Sequence, residues 1–125
     1  MSKKKIVAPF RQFEGKRISE THIRLTKSML LSKNWAELHP TSQRLYLYMK
    51  LWSMGNQELT YSKRLGSQYV APATYSRGIK DLIAHGFIEK TGYASNGGGQ
   101  RASTFKFSSK WQDDNYYPIY TSNIK

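Results

Sequence analysis

The stretch Val70–Ile88, VAPATYSRGIKDLIAHGFI, constrains this chain more than any other. Pro72 presets the helical φ angle and has no N–H to lose, which suits the first position of a helix. Ala71 before it is pushed towards extended backbone, so the helix begins here. Plotted at about 100° per residue, Tyr75, Ile79 and Leu82 share one face, with Gly78 and Ile83 at its edges. Ala73, Thr74, Arg77 and Lys80 fall on the far side, and Ser76 lies on the flank. Gly86 stops the helix after His85 in its last turn, which predicts a helix over 72–85. Phe87-Ile88 then opens an apolar, β-prone run. Surface helices ordinarily carry a polar outer face, so periodicity alone does not separate a solvated face from a contact surface. The flanking sequence has to decide.

Charge is the second constraint. The 125 residues hold 20 Lys+Arg against 8 Asp+Glu, a formal net charge of +12. That balance points to polyanions, nucleic acid first and anionic membrane second. A chain of this length forms one domain with one modest core. It has no cysteine, which excludes a disulfide framework and thiolate metal sites. No apolar run approaches spanning length, so no membrane partner is expected. After the first lysines comes only IVAPF, too short for a signal-peptide core, so the expected location is the cytoplasm.

The remaining segments sort by period. Residues 1–20 are basic and carry few core-type residues, which predicts a flexible arm whose lysines and arginines can track phosphates. In 21–38, Ile23 and Leu25 alternate with His22, Arg24 and Thr26, a short strand signal, and Ser28 can cap a turn over Met29–Leu31. Trp35 and Leu38 read as core anchors. A helix follows from Pro40. Leu45, Tyr48, Met49 and Trp52 form one apolar face, and Leu47, Leu51 and Met54 form another. Such a helix is either central to the domain or shared with a partner subunit, which leaves a homodimer open. Residues 57–60 make a minimal strand. Ser62 opens a short basic helix over 62–69, with Leu65 and Tyr69 inward and Lys63, Arg64 and Gln68 outward. The segments 86–93 and 102–108 read as strands, the second alternating Phe105 and Phe107 with Thr104, Lys106 and Ser108. The glycine-rich link between them leads into a strand rather than a helix, which favours a hairpin over a phosphate cradle. Residues 111–125 form an aromatic tail.

The order short strand, helix, short strand, helix, helix, hairpin resembles the winged helix-turn-helix family. ATYSRGIKDLIAHGFIEKTG is similar to the third helix and first wing strand of bacterial members. IRLTKSMLLSKNWAELHPTSQRLYLYMKLW is similar to the front half of small winged-helix proteins on plasmids, phages and conjugative elements of Gram-positive bacteria. The turn YVAP departs from the pattern, which usually has a glycine and a serine or threonine cap there. The resemblance implies an α+β fold over 21–110, with a short N-terminal strand, a three-helix core and a β-hairpin wing. It implies that the third helix enters the major groove of double-stranded DNA. Arg77 then matches guanine O6 and N7. Thr74 and Ser76 bond bases or phosphates, Ala73 permits close approach, and Lys80, Lys63 and Arg64 meet phosphates. The wing, 94–102, brings Asn96, Gln100 and Arg101 to the adjacent minor groove, with Lys106 behind them. The expected role is an accessory protein at a transfer or replication origin, partnered by a relaxase or replication initiator. A transcriptional regulator is the alternative.

Other classes fit less well. The three histidines, His22, His39 and His85, lack metal-ligand spacing, so no metal is expected. The nine tyrosines show no activating constellation, so neither catalysis nor a cofactor is expected. An RNA-binding module would interleave aromatic with basic residues, whereas here the aromatics fall on apolar faces. A winged helix used only for protein contact sits poorly with the net charge.

Overall fold

The computed structural model describes residues 21–95 and 101–113. In chain order they form α1 (Lys27–Leu30), α2 (Lys33–Glu37), α3 (Pro40–Ser53), β1 (Glu58–Tyr61), α4 (Lys63–Gly66), α5 (Pro72–Ala84), β2 (Ile88–Ser95), β3 (Arg101–Phe107) and a 3₁₀ turn at Lys110–Gln112. The architecture is α+β, with α3 and α5 packed on a three-stranded antiparallel sheet of order β1-β3-β2. Among the described residues, no helix is long and apolar enough to cross a membrane.

The core lies between α3, α5 and one sheet face. Leu45, Met49, Leu82, Phe87, Ile88, Tyr61 and Phe105 are all but fully buried. Alternation along β3 turns Phe105 inward and Thr104 and Lys106 outward, as a half-buried strand requires. Tyr46 anchors the other side of the core. Its ring meets Trp35 edge-on at 5.8 Å and both Phe87 and Phe107 at 5.6 Å.

Several local expectations change. Residues 21–26 form no strand. Ile23 and Leu25 are half-buried because this segment lies along a groove beside the end of α3, and Leu25 packs on the core. Alternation reports one-sided burial and says nothing about a pairing partner. Thr26, not Ser28, caps α1, its Oγ1 accepting the Met29 N–H at 3.2 Å. The basic helix at 62–69 is one turn only. Ser62 caps it as expected, but Gly66 is wedged so tightly that a Cβ there would lie 2.2 Å from Tyr75 Cε1. Beyond it the chain tightens into i→i−3 bonds, Gln68 N–H to Leu65 O and Tyr69 N–H to Gly66 O. β1 is displaced by one residue, to Glu58–Tyr61, because Tyr61 pairs with Ser103 and buries its ring. In α3 the core face is Ser42, Leu45, Tyr46, Met49 and Ser53. Tyr48 and Trp52, which the spacing groups with Leu45 and Met49, lie outside it.

Of the expected tail, Trp111 packs on the domain. It stacks on Phe87 at 5.9 Å, and its carbonyl accepts from Asn34 Nδ2 at 3.1 Å. The closing contact is Gly86, at φ +83°, whose carbonyl accepts the Trp111 N–H at 3.1 Å. A Cβ at Gly86 would lie 2.7 Å from Trp111 N and 2.9 Å from Lys110 C, both backbone atoms that cannot swing away. Left-handed backbone and a steric clash then act together. Gly86→Ala is expected to lose about 1–3 kcal/mol in urea denaturation. Gly86→Asn, which tolerates positive φ, should recover little. A near-neutral Gly86→Ala would show that the Trp111 turn is not fixed here.

Candidate nucleic-acid interface

The seat of α5 explains what its outer face can do. Tyr75, Ile79 and Leu82 are buried against the core. Gly78 lets α5 cross α3 closely, since a Cβ there would lie 2.9 Å from Leu45 Cδ2. The Tyr75 hydroxyl donates to the Tyr61 carbonyl at 3.3 Å, and burial pushes its pKa up to about 12, so it stays a donor. The N-cap, Ala71, makes no side-chain cap bond. Instead, the Thr74 Oγ1 donates back to the Ala71 carbonyl at 2.9 Å.

A second lock holds the other half of the helix. Asp81 Oδ2 accepts from Ser42 Oγ at 2.6 Å and from the His39 N–H at 3.0 Å. Asp81 Oδ1 lies 3.1 Å from His85 Nδ1, and His85 Nε2 lies 3.6 Å from Glu37 Oε1. Burial pulls the Asp81 carboxyl upward, but the bonds from His85, Ser42 and the His39 backbone outweigh it, so its pKa falls below 3.8. Burial likewise works against a charged His85, and the Asp81 bonds with the nearby Glu37 charge win, so its pKa rises above 6.5. This polar bolt ties α5 to α2 and to the start of α3. Sequence reading missed it. The i, i+4 spacing of Asp81 and His85 was the available signal.

With its inner face fixed, α5 presents Ala73, Ser76, Arg77 and Lys80 to solvent, as expected, while Thr74 is half-buried. On α4, Lys63 and Arg64 are exposed. None of these four cations takes part in an ion pair among the described residues. α4 and the first half of α5 are neighbours, since Gly66 packs under Tyr75. Both basic sets therefore lie at the same end of the domain.

The hairpin rises at that end too. Tyr61, which stacks on Tyr75 at 6.3 Å, pairs across β1–β3 with Ser103, and Ser103 pairs with Tyr93. Arg101 sits opposite Ser95 at the far end of the ladder. Asn96 and Gln100 lie outside the described residues. A register break between Lys90 and Gly92 redirects β2. It leaves Tyr93 55% exposed with Lys90 Nζ 2.7 Å from its hydroxyl, a surface pair that no spacing rule indicated. Lys106 stands apart from the others. It faces away from the helices, between Glu58 and Glu89 on the flanking strands, with Nζ 3.8 Å from Glu89 Oε1.

The chain matches no family model, no curated protein and no solved structure. The functional reading therefore rests on the geometry above and on the resemblance in sequence. Among the described residues, no three His, Asp or Glu side chains are placed to hold a metal ion. The acid–imidazole pair Asp81–His85 is buried at the C-terminal end of α5, where it braces the helix.

Proposed function

We propose that this chain is a winged helix-turn-helix protein that binds duplex DNA selectively, with α5 as recognition helix and β2–β3 as wing. One observation carries the reading. Arg77 and Lys80 project, without ion pairs among the described residues, from a helix whose other face is buried. Preorganised, uncommitted cations of this kind suit a groove and its phosphates. In this reading Arg77 reads a guanine, Ser76 and Ala73 approach base edges, and Lys80, Lys63 and Arg64 meet phosphates. Thr74 then contributes through its methyl or as an acceptor, because its proton is given to Ala71. The biological role we favour, an accessory protein at a transfer or replication origin of a mobile element, rests on the resemblance of 23–52 to such proteins.

Selection from a random duplex pool, followed by salt titration, tests the reading. A consensus sequence should emerge, and affinity for it should fall with salt at a log–log slope of roughly −0.9 for each phosphate contacted. Failure to enrich any sequence, or better competition by single strands or RNA than by duplex, would overturn it.

A further inference from the structure

Tyr69 lies in the turn between α4 and α5, and α3 grips it at three points. Arg44, Tyr48 and Trp52 follow one another at i, i+4 and i+8, so they share one stripe of α3. Arg44 Nε donates to the Tyr69 carbonyl at 2.8 Å. The Tyr48 and Tyr69 rings stack at 4.1 Å. Trp52 Nε1 donates to the Tyr69 hydroxyl at 2.9 Å. Arg44 Cζ also lies 5.7 Å from the centre of the Tyr48 ring. The guanidinium is therefore held both at one N–H and over one aromatic face.

Most of its bonding capacity is unspent. A guanidinium carries five N–H donors, and the Tyr69 carbonyl takes one. The Nη groups hold no hydrogen bond or ion pair among the described residues, and Arg44 is exposed. An arginine fixed through Nε offers its Nη groups as a planar fork, which matches phosphate oxygens and loses little freedom on meeting them. Lys50, the other cation of α3, differs. Its ammonium lies over the Phe107 ring at 5.2 Å, on the sheet side of the helix.

Position gives the fork its partner. Four residues separate Tyr69 from Ala73, at most about 14 Å of chain. Thr74, Arg77 and Asp81 follow at i, i+3 and i+7, and Asp81 accepts from Ser42 of α3, so that stripe of α5 runs along α3. Arg44 stands at the head of this seam, and Arg77 projects further along it. We propose that Arg44 is a further contact of the duplex interface, its Nη fork taking a backbone phosphate beside the N-terminal half of α5. The inference rests on α5 being the recognition helix. Because Arg44 also holds the turn that leads into α5, the phosphate sets where that helix sits on the duplex without choosing bases.

Binding isotherms of the full chain on its selected duplex, between about 50 and 200 mM salt, test this. Arg44→Ala should weaken binding about tenfold, as loss of a charged hydrogen bond does, and reduce the salt slope by about one unit. The selected consensus should not change. Arg44→Lys, which keeps the charge without the fork, should restore the slope and only part of the affinity. Trp52→Phe loosens Tyr69 without touching a charge, so it should keep the wild-type slope. Lys50→Ala should keep both slope and affinity. An Arg44→Ala protein with the wild-type slope, like Trp52→Phe, would make Arg44 a structural tie only and overturn the proposal. A changed consensus, or an equal loss of slope in Lys50→Ala, would overturn it too. In each of these cases duplex binding by α5 still stands. A wild-type chain that binds no duplex would sink both.

Discussion

Asp81→Ala should cost the fold about 3–5 kcal/mol, the usual penalty for breaking a buried charged pair from one side. Asp81 is 8% exposed, and its carboxylate joins Ser42, the His39 N–H and His85. Removing it leaves a buried hydroxyl and a buried imidazole facing a void, while α5 loses its tie to α3. Urea denaturation near pH 5.5 measures the effect. The wild-type protein should also show a particular pH profile. The His85 pKa is raised by folding, so its contribution is complete below the ordinary 6.5 and is lost as pH rises through the higher folded value. The Asp81 pKa is lowered, so its contribution is complete above the ordinary 3.8 and is lost as pH falls through the lower folded value. Stability should therefore be greatest between those ordinary values and decline on both sides. Asp81→Asn keeps an acceptor for Ser42 but removes the charge, so it should flatten both limbs. An Asp81→Ala protein within about 1 kcal/mol of wild type would mean that the bolt does not hold the helix.

Arg77→Ala separates binding from folding. Arg77 is exposed, so its loss should change stability by no more than about 0.5 kcal/mol. If its guanidinium reads a guanine, duplex affinity should drop by about 1–3 kcal/mol, with selection relaxed at one base position. Lys80→Ala is the internal comparison. It should weaken all sequences alike and reduce the salt slope by about one unit, as a phosphate contact does. Binding isotherms against the selected duplex and against single-base variants distinguish the two. Equal, sequence-independent losses would demote Arg77 to a phosphate contact. A folded Arg77→Ala protein with undiminished affinity would remove α5 from the interface.

Much of the fold was legible because its signals are local. Pro72 and Gly86 bracket α5 since each acts on its own backbone, one by its ring and one by positive φ. The spacing of Tyr75, Ile79 and Leu82 identified the buried side of α5, because the opposite side holds polar and small residues and leaves one choice. Strand alternation in Thr104–Phe107 worked for the same reason. The candidate site residues on α4 and α5 followed as what remained outside.

α3 offered no such choice. Apolar and aromatic residues occur nearly all round it, so periodicity named two faces without saying which would be covered. Packing decided. α5 crosses at Gly78, and Phe87 and Phe107 meet Tyr46, which turns Leu45 and Met49 inward and leaves Tyr48, Leu51 and Trp52 outside. Ile23 and Leu25 failed for a related reason, since alternation needs a neighbouring strand and the tertiary structure supplies a groove. The polar decisions were equally non-local. Ser42 and Asp81 meet from 39 positions apart, and Arg44 reaches a carbonyl 25 positions away. Lys106 meets Glu89 because strand register sets the two side by side. The sequence by itself determined where α5 starts and stops and, for an element with a single apolar side, which side is buried. Only the tertiary structure decided which side of an all-round apolar helix is covered, and which charges remain free to meet a ligand, because both depend on neighbours that are distant along the chain.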